Sequence, residues 1–247
     1  MITFNLAGAL AEENKVLLID VDPQCNLSNN AGVDITDQDT YSSRDIFETH
    51  NVRPENLVVE NPIPELPNLD VIPSNILLTA TELHIGSRAA RERILKNYLD
   101  DHETFFSKYD YILIDTNPSM GIVNQNAFLA ADSIILVTDI DDNSRLGLQL
   151  FIYLWEEIRK DLRKPDNVKA LIVNKGDLRT NLTTDMLEYI MNDEDLSKIF
   201  VPKLIRSKVA YAKAALQKLP VTQYSEGAEA SEEIYAAVEL LKEKGVF

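Results

Sequence analysis

The stretch that decides the fold is Lys15-Val-Leu-Leu-Ile-Asp-Val-Asp-Pro-Gln-Cys-Asn-Leu-Ser28. Its first part, Val16 to Ile19, is a short apolar run rich in branched side chains, which is typical of a strand buried on both faces of a parallel sheet. The run leads into Asp20, Asp22 and Pro23. Because proline has no backbone N–H, strand pairing should stop there and a loop should begin. Open α/β sheets bind ligands at the carboxyl ends of their strands, so these two carboxylates mark a candidate ligand site.

A second segment repeats this design: Tyr109-Asp-Tyr-Ile-Leu-Ile-Asp-Thr-Asn-Pro-Ser119. The strand predicted from Tyr111 to Ile114 ends in Asp115, with a proline just beyond it. Further apolar runs, such as Ser133 to Thr138, alternate with helical patterns in the β-α-β order of a parallel sheet. We predict a doubly wound, mostly parallel α/β sheet with helices on both faces, in one domain that spans residues 1–247.

The composition is that of an ordinary globular protein, with 45% hydrophobic and 26% charged residues in a chain of 247. No apolar run approaches the length of a membrane span, and the start of the sequence does not resemble a signal segment. The single cysteine, Cys25, excludes an internal disulfide framework, so we expect a cytoplasmic protein. A net charge of −16 argues against attraction of DNA to the whole surface, so any DNA contact must come from a local patch.

The two acid-tipped segments resemble switch I and the Walker B/switch II region of ParA-type partition ATPases, which belong to the deviant-Walker-A group of P-loop ATPases. The likeness continues through Leu69-Asp-Val-Ile-Pro-Ser74, Asn126-Ala-Phe-Leu-Ala-Ala-Asp132 and Ile199-Phe-Val-Pro202. Two residues depart from the family pattern. Asn117 replaces the more usual proline of switch II, and Cys25 stands where many relatives have glycine. The resemblance implies a P-loop NTPase-like fold and Mg-ATP or Mg-ADP as the ligand.

The phosphate-binding loop of the family has no counterpart in this sequence. Ile2-Thr-Phe-Asn-Leu-Ala7, within a helix predicted from Met1 to Asn14, resembles the family's helix just after its Lys-Gly-Gly-x-Gly-Lys-Thr-Thr loop. The eight glycines of the chain form no glycine-rich run. That loop supplies the N–H groups, the lysine and the hydroxyl that hold the phosphates and Mg²⁺, so its absence puts nucleotide binding by this chain in question.

The strand that precedes this loop in the family lies inside the sheet, beside the Walker-B-type strand. Without it, two rows of backbone groups would be left unpaired. We consider three interpretations: a truncated gene model or fragment, which we favour; a naturally nucleotide-free relative; or a strand supplied by another chain.

The resemblance assigns roles to the two acidic strand ends. Asp115 is the Walker B acid that binds Mg²⁺ through water, and Asp22 is the switch I aspartate that aligns the attacking water. The alternative for Asp22 is a helix or turn cap before Gln24. We expect Asp20 to be structural or to support its neighbours.

Two further residues are candidates for nucleotide binding. Asn174 opens a tetrapeptide, Asn-Lys-Gly-Asp177, that resembles the Asn-Lys-x-Asp base-reading motif, and an amide offers both a donor and an acceptor to a purine edge. A turn after the strand predicted from Val168 to Val173 would use the same residues. Pro202 falls where the family packs a proline-containing loop near the adenine, although the end of a strand explains it equally well.

A basic segment is the candidate for DNA binding. No Asp or Glu occurs between Ile199 and Tyr224, whereas the segment contains Lys203, Arg206 and Lys208. Such cations contact phosphates without reading sequence, and by resemblance Arg179 lies near the DNA-contacting surface. The alternative is that these cations balance neighbouring acidic helices. The last predicted helix is acidic, which disfavours membrane binding.

We therefore predict a ParA-like ATPase of plasmid or chromosome segregation. In the implied cycle ATP closes a homodimer, the dimer binds nonspecific DNA at the nucleoid, and a centromere-bound ParB-type partner stimulates hydrolysis. Without the phosphate loop, the chain should not turn over ATP at a useful rate. The alternatives are a nucleotide-free adaptor that regulates a full-length relative and a deviant-Walker ATPase that positions cargo other than DNA.

Overall fold

The two acid-tipped strands lie side by side in the computed structural model, which describes residues 1–36, 40–49, 51–141 and 143–247. Strand β1 spans Val16–Asp20 and is buried along its whole length. The other strands are β2 (Val59–Glu60), β3 (Leu69–Ile72), β4 (Tyr111–Asp115), β5 (Ile134–Asp139), β6 (Val168–Gly176) and β7 (Phe200–Arg206).

Helices connect these strands and cover both faces. They are α1 (Ile2–Leu10), α2 (Asn26–Asn30), α3 (Ser43–Thr49), α4 (Pro54–Leu57), α5 (Leu78–Ile85), α6 (Ile94–Asp101), α7 (Glu103–Phe106), α8 (Ile122–Ala130), α9 (Ser144–Asp161), α10 (Asn181–Asn192), α11 (Glu194–Ile199), α12 (Val209–Leu216) and α13 (Ala228–Glu243). Arg91–Arg93 and Val221–Gln223 form short 3₁₀ helices. Within the described ranges, no helix is both long and apolar enough to cross a bilayer.

The strands form two sheets. One has the order β2-β3-β1-β4 and the other the order β5-β6-β7. All neighbours are parallel except β2 and β3. The prediction of a mostly parallel α/β fold with helices on both faces is confirmed, but the sheet is divided between β4 and β5.

Helix packing joins the two sheets. On one side, α1 and α13 belong to a single apolar cluster that includes Leu18 of β1, Leu113 of β4 and Ile172 of β6. On the other side, α8 contributes Val123 to the cluster over the first sheet and Phe128 to the cluster over the second. The layers above and below the division are therefore continuous.

The division leaves β4 and β5 as edge strands, since each pairs with one neighbour only. Tyr111, Ile112 and Ile114 of β4 are partly exposed, and Val137 of β5 is 44% exposed, whereas β1 is fully buried. A position without a strand beside β4 is what the family resemblance led us to expect. Among the described residues, no strand pairs with the backbone groups of β4 and β5 on the sides that face the division.

Three sequence predictions need correction. Helix α1 ends at Leu10 rather than Asn14, because the chain continues as a turn in which the Glu13 backbone N–H and the Asn14 side-chain amide donate to the Leu10 carbonyl. Strand β6 continues to Gly176, because Asn174 still pairs with Asp139 and Ile205 in the ladders on either side. The basic segment between Ile199 and Tyr224, for which no helix was predicted, contains helix α12.

Two glycines should respond in opposite directions to the same substitution. A Cβ at Gly147, inside α9, would have no atom within 4 Å, so Gly147→Ala should raise the free energy of unfolding by about 0.5–1 kcal/mol through helix propensity. A Cβ at Gly227 would lie 2.7 Å from the Val221 carbonyl oxygen, so Gly227→Ala should lower it by about 1–3 kcal/mol. Urea denaturation of both variants checks the pair, and shifts of the same sign would contradict the packing described.

Candidate functional site

The carboxyl ends of β1 and β4 meet at one edge of the first sheet. Asp20 is the register partner of Asp115, and the backbone N–H of Val21 donates to the Asp115 carbonyl at 3.0 Å. Asp22 follows directly and adds to the negative potential at Asp115. The two predicted catalytic aspartates, Asp22 and Asp115, therefore lie on the same side of the molecule.

Asp20 is fully buried and its carboxylate is occupied by hydrogen bonds. Its Oδ2 accepts from the backbone N–H of Ser28 at 2.9 Å and from its hydroxyl at 2.6 Å, and its Oδ1 accepts from the Asp22 N–H at 3.0 Å. The Ser28 hydroxyl also accepts from the backbone N–H of Ser74 at 2.9 Å. Burial outweighs these bonds and raises the pKa of Asp20 to about 6. This geometry supports a structural role, because the carboxylate links the end of β1 to helix α2 and, through Ser28, to the loop after β3.

Asp22 serves as a turn cap while one of its oxygens stays free. Its Oδ1 accepts from the Gln24 N–H at 2.9 Å, as the alternative interpretation of this residue expected. No hydrogen bond to Oδ2 is formed by the part of the chain that the structure describes, and the side chain is partly exposed. Capping and alignment of a water are therefore compatible at Asp22.

Asp115 is held by a residue that the sequence analysis did not single out. The Thr3 hydroxyl donates to Asp115 Oδ1 at 2.5 Å. Burial, with a contribution from Asp22, raises the pKa of Asp115. The available signal for Thr3 was its place at the start of a helix, which in a β-α fold begins at the carboxyl edge of the sheet.

The acids at this edge fit a hydrated Mg²⁺ better than a directly ligated ion. In the described residues, no group of three or more histidine, cysteine, aspartate or glutamate side chains is arranged to hold a metal. Magnesium commonly keeps several waters and takes only one or two carboxylates, together with substrate phosphates. Asp115, with Asp22 nearby, meets that requirement. The phosphate-binding donors of a glycine-rich loop are not among residues 1–247.

The predicted base-reading residue lies at the same edge of the second sheet. Asn174 is almost fully buried, and its Nδ2 donates to Asp139 Oδ1 at 2.7 Å. Lys175 Nζ lies 2.6 Å from Asp139 Oδ2. Within the described residues, Asn174 Oδ1 has no hydrogen-bond partner. It is therefore an acceptor that a ligand's donor group would satisfy.

Asp177, the last residue of the tetrapeptide, and Pro202 form no hydrogen bond or ladder pair with Asn174 among the described residues. Asp177 accepts three hydrogen bonds from the Arg179 guanidinium, at 2.6, 2.9 and 3.2 Å, and these bonds, with one from the Arg179 backbone N–H, lower the pKa of Asp177 to about 2. Pro202 lies inside β7 rather than after a strand, and Ile205, not Pro202, is the partner of Asn174. Proline is tolerated there because β7 is an edge strand, so placing Pro202 after a strand was wrong.

Most of the predicted DNA-binding cations have acidic partners. Arg206 Nε lies 2.5 Å from the buried carboxylate of Glu233, and Lys208 Nζ is 2.8 Å from Glu229 and 3.3 Å from Glu233. Arg179 is paired with Asp177. Lys203 forms no ion pair with any described residue. The glutamates of α13 reduce the positive potential of the segment, as the alternative interpretation expected.

The chain has a mostly parallel α/β fold in which the neighbouring strands β1 and β4 both end in acids at one edge of the sheet, the place where proteins of this class bind ligands. A family model described as an AAA domain matches residues 2–170. The sporulation initiation inhibitor protein Soj of Bacillus subtilis is 30% identical over 205 residues, which cover 82% of this chain and 78% of Soj. The chromosome partitioning protein ParA of Myxococcus xanthus is 28% identical over 211 residues, 82% of this chain and 70% of that protein. The chain therefore belongs to the ParA-type family of partition ATPases.

Solved structures agree with this assignment at the level of fold. A putative plasmid partition protein from Borrelia burgdorferi, bound to AMPPNP, superposes with a TM-score of 0.77 at 22% identity, covering 98% of this chain and 92% of that one. McdA from Cyanothece, in its apo form, superposes with a TM-score of 0.80 at 19% identity, covering 96% and 92%.

The buried Asp20 should make stability depend on pH between about 4 and 6. In that window the native state keeps a proton that the unfolded chain releases, so the free energy of unfolding should fall as pH rises, by about 3 kcal/mol in total from this group. Asp20→Asn removes the titration, so the stability difference between wild type and variant should shrink over the window. Urea denaturation at several pH values measures it, with the exposed Asp100→Asn as control. Parallel profiles for wild type and Asp20→Asn would contradict this account.

Proposed function

We propose that this chain is a ParA-like ATPase of DNA partition that requires a phosphate-binding loop in addition to residues 1–247. The observation that carries the proposal is the meeting of Asp22 and Asp115 at one sheet edge. Asp115 would hold a hydrated Mg²⁺, which neutralises charge on the transferred phosphoryl group when bound. The Asp22 oxygen that accepts no hydrogen bond from a described residue would orient a water, and the Thr3 hydroxyl, which donates to Asp115, would hold that carboxylate in position.

The unpaired edges of β4 and β5 support the need for an added segment. Asp115 ends β4, and α1 begins beside it, as the Thr3 hydrogen bond shows. A strand inserted between β4 and β5, and parallel to both, would end where β4 ends. The loop after that strand would then lie next to Asp22 and Asp115. Backbone N–H groups in such a loop would provide the electrostatic stabilisation that phosphoryl transfer needs.

Exposed apolar residues at the same edge support a homodimer. Ile76 and Leu77 follow β3, Leu178 follows β6 and Val209 follows β7, and at least half of each side chain is exposed. Large apolar groups around a polar centre are typical of protein interaction surfaces. We propose that a second copy covers this edge when nucleotide is bound.

The DNA-binding part of the proposal rests on few free cations. Because Arg206 and Lys208 are paired with α13, Lys203 is the residue of the segment most able to contact phosphate. The same ion pairs favour the second candidate function, an ATPase or adaptor of this family whose cargo or partner is not DNA. Mg-ATP-dependent dimerisation would separate an ATPase from a nucleotide-free adaptor.

The ATPase proposal predicts a difference between two forms of the protein. Residues 1–247 alone should hydrolyse ATP no faster than the uncatalysed reaction in buffer. A form with a strand and a Lys-Gly-Gly-x-Gly-Lys-Thr-Thr loop added before Met1 should hydrolyse ATP measurably faster. In the extended form, Asp115→Asn should reduce the rate roughly 100-fold or more, because the metal-binding carboxylate is lost. The exposed Asp195→Asn is the matched control. Appreciable hydrolysis by residues 1–247 would refute the requirement for the loop.

The DNA-binding proposal predicts that Lys203→Glu weakens retention of nonspecific duplex DNA and makes it less dependent on salt. Lys169→Glu, an exposed lysine near the start of β6, is the matched control and should have a smaller effect. Electrophoretic mobility shifts at two salt concentrations measure both. Unchanged retention by Lys203→Glu would favour a cargo other than DNA.

A further inference from the structure

The segment that follows Asp115, Thr116 to Gly121, contains no helix or strand and joins β4 to α8; we call it the β4–α8 loop. Among the described residues, its backbone N–H groups make few hydrogen bonds. The Ser119 N–H donates to the Asn117 carbonyl at 2.9 Å, and the Gly121 N–H donates to the Ser119 hydroxyl at 3.3 Å. The position of the loop is therefore set mainly by side chains outside it.

The side chain of Asn124, in the first turn of α8, is buried against this loop and is 2% exposed. Its Nδ2 donates to the Asn117 carbonyl at 2.8 Å and to Asn117 Oδ1 at 2.7 Å. The same nitrogen lies 2.8 Å from the Ser119 carbonyl oxygen and 3.1 Å from the Ser119 hydroxyl. An amide nitrogen carries two hydrogens, so four acceptors share them around one buried donor. We call Asn124 and these acceptors the amide clamp.

Two further contacts hold the far end of the loop. Gln125 Nε2 donates to the Met120 carbonyl at 2.8 Å, and Glu82 of α5 accepts from the backbone N–H of Val123 at 3.3 Å. Both contacts lie on the α8 side of the loop. In the described part of the chain, the strand side of the loop, Thr116 to Ser119, receives side-chain hydrogen bonds from outside it only through the amide clamp.

Asn117 is the residue that replaces the more usual proline of the family. A proline would restrict the backbone at this position without any partner, because its ring fixes φ. Asparagine leaves that angle free unless its side chain is held. Here the carbonyl oxygen and Oδ1 of Asn117 both accept from Asn124. The amide clamp therefore supplies through hydrogen bonds a restriction that a proline ring would supply covalently.

We infer that Asn124 is a positioning residue for Asp115, because the amide clamp fixes the chain two residues after that carboxylate. The Thr3 hydroxyl holds the carboxylate itself, and the Val21 N–H donates to the Asp115 carbonyl at 3.0 Å on the β1 side. The clamp completes this support where the chain leaves β4. The catalytic consequence rests on the proposed function, since a displacement of about 1 Å near reacting groups can cost roughly 100-fold in rate.

Hydrogen exchange in residues 1–247, measured by NMR without nucleotide, tests the inference independently of ATP hydrolysis. Asn124→Ala removes the shared donor, so exchange of the Ser119 and Gly121 N–H groups should quicken about tenfold or more. Exchange of the Val21 N–H should quicken about threefold or more, because this group reports on the Asp115 carbonyl. Amides of the buried strand β6 should keep their rates. Asn124→Asp, which keeps the side-chain shape but replaces the donor with an oxygen, should give the same local pattern.

A rescue variant and a control separate positioning from stability. In the Asn124→Ala background, Asn117→Pro should restore slow exchange at the reporter groups, because the ring replaces the lost restriction. Gln149→Ala removes a different amide, which donates to the Tyr189 hydroxyl at 3.0 Å, and should leave these rates unchanged. In the form extended by a phosphate-binding loop, Asn124→Ala should lower kcat and leave the KM for ATP nearly unchanged, and Asn117→Pro should restore kcat.

Several outcomes would overturn the inference. Equal quickening of all amides in Asn124→Ala would mean that the residue contributes only to overall stability. Quickening at Ser119 without a change at Val21 would mean that the clamp does not reach Asp115. Failure of Asn117→Pro to restore slow exchange, or an unchanged kcat in an active extended form of Asn124→Ala, would also contradict it. If the extended form hydrolysed no ATP, the proposed function would fail, whereas the exchange rates would still decide the role of Asn124.

Discussion

The parallel pairing of β1 with β4 is the constraint on which the candidate site depends. Its register sets Asp20 opposite Asp115, and the bond from the Val21 N–H to the Asp115 carbonyl carries the pairing one residue further. Asp22 must then emerge beside Asp115. Burying Asp20 is unfavourable for its charged form, as its raised pKa shows, but the carboxylate fixes the loop through Ser28. Asp20 thus stabilises the loop that carries Asp22.

Local patterns in the sequence were enough to predict the strands and their acidic ends, because an apolar run followed by aspartate and proline reports on burial within a few residues. The partners of the basic segment could not be predicted in the same way. Arg206 pairs with Glu233, which is 27 residues away and on another helix. The absence of acidic residues within the basic segment therefore did not predict the charge of the folded surface around it. The end of β6 was missed for a similar reason, since Asn174 belongs to the ladder only because β5 and β7 flank it.

Cys25 shows how a departure from a family pattern becomes interpretable once backbone angles are known. Its φ is +54°, in the left-handed region, where a residue with a Cβ is strained and glycine is favoured. The family resemblance implies glycine at this position in many relatives, but it does not explain the preference. The turn between Asp22 and α2 requires this conformation, and the Cys25 N–H donates to the Asp22 carbonyl within it. The strain at Cys25 is thus part of the loop that positions Asp22.

The division between β4 and β5 separates the candidate site into two halves, and no backbone hydrogen bond between described residues crosses it. Asp22 and Asp115 belong to the first sheet, and Asn174 and Asp139 belong to the second. Their relative position is set by side-chain packing of α1, α13 and α8, which contact both sheets. Side-chain packing is less directional than a strand ladder, because dispersion and apolar burial fix separation more firmly than register. A strand between β4 and β5 would replace that looser alignment with hydrogen bonds on both sides, so such a strand would control the position of Asp22 and Asp115 relative to Asn174 and Asp139.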